Sequence, residues 1–437
     1  MKAYCARAAM KNNTLGVGHG ADAALNNTEL TTKEITFLSR YGLLDDSIHS
    51  NTLCSREQEL RVRFIFVLTK QLACRWDDLA HMMLCDLHMK EILGETGGGQ
   101  KCYLFQITSV GGKGKSHDSV LRVLMRHKDP TLCGIFAIAC HLFNFITVHK
   151  ELTFEHFQNG SWLAAPLLPN KFTVDSLKST LSDKEKLDMQ HKERTKMYNM
   201  DRTKVLQSYE LSSPPIQSTK CLHLGRKQSS IEMVGAGLAN KDIDNHLKHT
   251  TELSMQKKAY SVGYEITGVR VSAGHSATQG NAYINRNANN PSDELIKQVF
   301  PILTQLEAYV LENANNAAFG KHIPAFTKCL RFLAIVLLQD FAFLSKSGLN
   351  RHPFMNQTLF SSGPFKIFID KLFLNMKAEE DDAVEKLTNS AVLNQAGNEL
   401  VTSFIHVHNK LDSIIEAGER RHEQMMALYG SRPPNYM

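Results

Sequence analysis

The chain has 437 residues, 43% of them hydrophobic, enough for a substantial core and for two or three domains. With 50 basic side chains against 44 acidic ones the formal charge is +6, a surface of mixed sign that leans towards anionic partners and excludes a polycationic nucleic-acid tail. The opening MKAYCARAAMKNN lacks the apolar core of a secretory leader, and the longest apolar run, Leu330 to Leu338, is interrupted by Arg331 and falls short of the ~20 residues that span a bilayer. No membrane partner is expected, and a cytosolic or nuclear site follows. The 9 cysteines form no C-x-x-C pair, and several sit inside apolar runs, so buried reduced thiols are expected.

Taken in chain order, residues 1–52 are rich in Asn, Thr and Gly with little periodicity, and read as mostly disordered or only locally helical. From Glu57 to Leu87 the apolar residues recur at helical spacing, which predicts a pair of helices joined near Cys74 and Arg75. GETGGGQ (94–100) predicts a turn, YLFQITSV a strand, GGKGKSHD (111–118) a tight turn and DSVLRVLMR the returning strand of a hairpin. A buried helix is expected from Leu132 to Val148. The alternating charges of residues 180–215 mark an exposed helix or linker. Short helices follow through Lys258, and Pro291 to Ser347 reads as strongly helical with breaks at Pro301 and Pro324. In the tail, Leu400, Phe404, Val407, Leu411 and Ile414 fall at spacings of four and three over about two heptads. That helix either packs on its own domain or dimerises.

Several residues invite chemistry. Gly114-Lys115-Ser116 matches the end of a phosphate-binding loop, but Ser109 stands where its first glycine should be and a strand follows where a helix is required, so that loop is rejected. Lys113 and Lys115 at a hairpin tip can still deliver an ammonium to a phosphate. Arg75 lies among apolar residues with Asp78 one helical turn on; a carboxylate there would fix the guanidinium for bidentate phosphate recognition, or make a structural ion pair. His223-x-x-Arg226, followed by Lys227, puts imidazole and guanidinium at a helix start, where the helix adds its own affinity for anions. His249 and Tyr260 come next. A metal reading through Cys221, His223, His246 and His249 fails on its C-x-H spacing, so no metal and no cofactor is expected.

The order of these residues, an arginine with an acid three on, a hairpin lysine, H-x-x-R, a histidine and a tyrosine, resembles the arrangement of the tyrosine recombinases. From about Glu57 to about Phe373 the chain resembles the fungal Crypton-type relatives of that family, which include domain two of the DNA-binding subunit of the yeast centromere-binding kinetochore complex. The segments RWDDLAHMMLCDL, GKGKSH, KDPTLCGIFAIACHLF, KCLHLGR, AGHSATQGNAYINR, PSDELIKQVFP and LAIVLLQDFAFL carry the likeness. The resemblance implies a mainly α domain with a small antiparallel sheet, over residues 53–376, between the N-terminal segment and an amphipathic tail (377–437). It also implies a metal-free chemistry in which Arg75 and Arg226 clamp a scissile phosphate, His223 and His249 support them, Lys115 protonates the leaving oxygen and Tyr260 attacks phosphorus. Three departures bear on catalysis: only about fifty weakly patterned residues stand where recombinases carry a helical DNA-clamping domain before the first arginine, Tyr260 lies eleven residues after His249, with Tyr264 a rival hydroxyl, and the kinetochore branch binds DNA without cutting it. The leading expectation is therefore a nuclear protein that binds duplex DNA through a phosphate clamp without catalysis. The alternatives are an active recombinase forming a 3′-phosphotyrosyl intermediate, and a helical interaction protein, homodimeric through its tail, that keeps the fold.

Overall fold

The computed structural model describes residues 32–40, 43, 56–96, 100–110, 119–168, 195–197, 200, 224–247, 266–287, 289–316, 319–346 and 357–389, with 406, 408, 410, 413 and 420 in the tail. Its elements in chain order are α1 (Thr32–Arg40), α2 (Arg56–Gln71), α3 (Trp76–Ala80), β1 (Leu87–Ile92), β2 (Cys102–Val110), β3 (Ser119–Leu124), α4 (Gly134–Leu142), α5 (Phe154–Gln158) and α6 (Leu224–Gly235). Then follow α7 (Asn240–Leu247), α8 (Ile266–Ser272), α9 (Asp293–Val299), α10 (Ile302–Glu312), α11 (His322–Lys346), α12 (Thr358–Ser361) and α13 (Gly363–Asn389). The protein is mainly α with a small antiparallel sheet. The backbone forms two compact units, Met1–Leu372 and Phe373–Met437, divided within α13.

In the first unit the sheet runs β1-β2-β3, all antiparallel, with Leu87 opposite Ile107 and Phe105 opposite Leu124. Because successive side chains point to opposite faces, Cys102, Leu104 and Val123 join Val269 and Ala273 in one apolar cluster, while Tyr103 on the other face meets Phe332 of α11 at 5.1 Å. The hairpin of β2 and β3 lies where the alternation predicts it. The third strand does not. Residues 81–87 were expected to be helical, but after α3 a 3₁₀ turn (Leu84–Asp86) leads into β1, because LHMKEI can bury its apolar members by pairing along the open edge of β2.

Helix α2 is buried on all sides from Val62 to Gln71, its polar Arg63, Thr69, Lys70 and Gln71 included, as suits a helix at the centre of a core. Even its Arg63 is enclosed, donating to the carbonyls of Ser39 (2.6 Å) and Thr131 (3.0 Å) and lying over the Phe136 ring. α4 packs beside it and continues as a π-helical turn (Phe143–Val148). The apolar run Leu330 to Leu338 belongs to α11, a core helix; no described helix is long and apolar enough to cross a membrane. Arg331 points outward from α11 to Glu307 and Asp293.

Pro301 does separate α9 from α10, but Pro324 breaks nothing. It sits in the first turn of α11, where its missing N–H would have had no helical partner. On the inner side of α11, Asp340 is fully buried and accepts from both Arg126 and Arg286, with Gln339 beside it accepting from Arg126. Arg286 also donates to the carbonyls of His127 and Lys128, both at 2.6 Å. Cys74, Cys102, Cys133, Cys140 and Cys329 are buried free thiols, and burial pushes Cys74, Cys102, Cys140 and Cys329 up to about 12. The seam residues Leu400, Phe404, Val407, Leu411 and Ile414 lie outside the described residues.

Candidate nucleic-acid interface

The site begins where α2 stops. Ala73 takes a left-handed conformation (φ 49°), unusual for a residue with a side chain, and its N–H closes on the Lys70 carbonyl at 3.2 Å. The turn is held because its methyl is buried against Met233, Ile243 and Leu247 of α6 and α7. Its effect is to send Cys74 into the core and Arg75 out to the surface. Arg75 is the cap residue of α3, and its N–H donates to the Asp78 carboxylate at 3.0 Å.

Asp78 does not hold the Arg75 guanidinium, as the spacing suggested it would. An acidic residue in the third position of a helix reaches back to the cap backbone, and here its carboxylate is also taken at 2.6 Å by Arg122 from β3. Arg122 donates as well to the Leu72 carbonyl at 3.2 Å, so one buried guanidinium grips both sides of the turn. Among the described residues the Arg75 side chain makes no hydrogen bond or ion pair.

The second arm comes from α6, which lies directly against α2. A side chain at Gly225 would come within 2.3 Å of the Thr69 hydroxyl and 2.6 Å of the Lys70 nitrogen, so only glycine permits this approach. Lys70 reinforces the contact by pairing with Glu232 at 2.6 Å. The packing sets the next residue, Arg226, into a buried position where it donates to the Leu247 carbonyl at the end of α7 (2.7 Å). Lys227 follows, half-buried.

Burial first, and then the positive charges of Arg122 and Arg75, pull Arg226 down to about 10; Asp78 opposes them. Arg226 remains cationic at neutral pH. The junction of α2, α3, β3 and α6 thus gathers Arg75, Arg122 and Arg226 around one carboxylate, and an arriving anion would relieve their repulsion.

Arg75 and Arg226 of the expected clamp are therefore brought together. Lys113, Lys115, His223, His249, Tyr260 and Tyr264 lie outside the described residues, as do Cys221 and the 111–118 turn. His246 is buried under Gly268, and no cluster suited to a metal ion occurs among the described residues. Arg122 was missed by the sequence reading. Its signal was a charged residue in DSVLRVLMR on the strand face shared with Leu124, a place that needs a buried counter-charge.

The fold is that of a mainly helical protein with a small antiparallel sheet, and the junction of α2, α3, β3 and α6 is rich in arginine. The chain belongs to the family described as the centromere DNA-binding protein complex CBF3 subunit, domain 2, which matches residues 41–366. No curated protein matches it at a significant level.

Proposed function

We propose that this protein binds duplex DNA through its phosphates, using Arg75 and Arg226 as a clamp of the tyrosine-recombinase type, and that it does so without cutting the DNA. The observation that carries this reading is the gathering of Arg75, Arg122 and Arg226 near Asp78, with Arg226 lowered to about 10 by burial first and then by the charges of Arg122 and Arg75. Such a centre lacks counter-charge that a phosphate supplies, and a guanidinium offers the forked donors that fit it. The family supports the reading, since its description names a subunit of a centromere DNA-binding protein complex. On this reading the protein works in the nucleus on chromosomal DNA, with Lys113, Lys115, His223 and Lys227 as further phosphate contacts.

Native-gel binding to duplex DNA tests the clamp. Arg226→Ala and Arg75→Ala should each weaken binding by about tenfold, the scale of a lost charge-assisted contact; binding unchanged in both variants contradicts the reading. Incubation with nicked duplexes followed by denaturing electrophoresis tests the absence of cutting. No covalent adduct is expected. An adduct that disappears in Tyr260→Phe would instead establish an active recombinase with Tyr260 as its nucleophile.

A further inference from the structure

From the same geometry we infer that Arg122 is a positioning residue, whose role is to hold the α2–α3 turn so that the Arg75 side chain is presented to a DNA phosphate. The inference rests on the DNA-binding reading and extends it to a residue that the clamp itself does not include. Arg75 projects from a turn with an unusual backbone at Ala73, and its own side chain has no partner to orient it among the described residues. What fixes the turn is the Arg122 fork, one arm on the Leu72 carbonyl before it and the other on Asp78 after it. Asp78 in turn holds the Arg75 N–H. The chain from β3 to the Arg75 backbone is therefore continuous.

A purely stabilising role explains Arg122 poorly. Its side chain is only 4% exposed, its Nε–H has no partner among the described residues, and its charge lies near that of Arg226. Buried ion pairs are often replaced by apolar residues of similar volume with no loss of stability, and a buried unpaired donor is a cost. The arrangement makes sense where two acceptors on opposite sides of a turn must be kept at a set separation. A planar fork does this, whereas an ammonium is a single point on a flexible stem.

The test is Arg122→Lys, which preserves charge and most of the bulk, compared with Arg75→Ala and the double variant in duplex-DNA binding across a salt series. Arg122→Lys should weaken binding by about tenfold and flatten the log–log salt slope by about 0.9, the value for one lost phosphate. Arg75→Ala should do the same, and the double variant should be no worse than Arg75→Ala alone. Arg122→Met combined with Asp78→Asn, which removes both charges of the pair and fills the space, should give the same non-additivity if the lysine variant does not fold.

Three results overturn the inference. One is an Arg122→Lys protein that binds like the parent while Arg75→Ala is impaired. Another is a double variant whose slope falls by about 1.8, which would make Arg122 a phosphate ligand itself. The third is a neutral Arg75→Ala; if Arg226→Ala is neutral beside it, the DNA-binding reading falls as well.

Discussion

At the scale of single residues, burial decides which ionisable groups can respond to solution conditions. His141 is stacked on Phe64 at 4.5 Å with its Nε2–H donating to the Leu167 carbonyl at 2.9 Å, and burial lowers it to about 4. The unfolded chain takes up a proton below the ordinary value of 6.5, but the folded one does not until near 4. Stability is therefore lost as pH falls through that window, by about 2 kcal/mol between pH 7 and pH 5 from this residue alone. Burial lowers His127 and His275 too, in the same direction. Denaturant titrations at the two pH values should show the loss, and His141→Phe should reduce it; an equal acid loss in the variant would contradict the assignment. The same scale shows what the sequence could reveal of the site. Arg75 and Arg226 were singled out by the order of chemical types along the chain, and both fall at the junction of α2, α3 and α6. The partner of Asp78 was not, since Arg122 is 44 residues away and only the strand pairing brings it close.

At the scale of elements, the contact of α2 with α6 is what brings Arg226 to the turn that carries Arg75. It depends on Gly225, whose neighbours are largely backbone and cannot give way by rotating a side chain. Gly225→Ala should push the helices apart and destabilise the protein by about 3 kcal/mol, at the upper end for an overpacked core. It should also weaken DNA binding, because Arg226 is the next residue; a melting temperature and a DNA affinity equal to the parent's would refute the close packing. Helix α2, the β2–β3 hairpin and the helix through residues 134–148 were legible from periodicity. Strand β1 was not, because its six residues carry no clear alternation and take their form from β2. Pro324 misled for a simple reason: a proline marks a break only when it falls beyond the first helical turn, and local sequence did not place the start of α11.

Across the first compact unit, one buried carboxylate ties the sheet end to the long core helix. Asp340 of α11 serves both Arg126, just after β3, and Arg286, so its loss would leave two buried guanidinium groups without their counter-charge. Asp340→Asn should cost about 3–5 kcal/mol in thermal or denaturant unfolding, the range for breaking a buried pair from one side. A near-neutral variant would show that the network is not a support. This same unit includes Arg75, Arg122 and Arg226, so the core that Asp340 holds together is also the frame of the cationic centre.

The measurement that tests the central claim most directly is the salt dependence of duplex-DNA affinity for the parent protein and Arg226→Ala. A phosphate clamp predicts that log affinity falls linearly with log salt with a slope of several phosphates, about −0.9 for each, and that Arg226→Ala lowers both the affinity and the slope by about one contact. An affinity that does not change with salt, or a variant whose slope and affinity match the parent's, would contradict it.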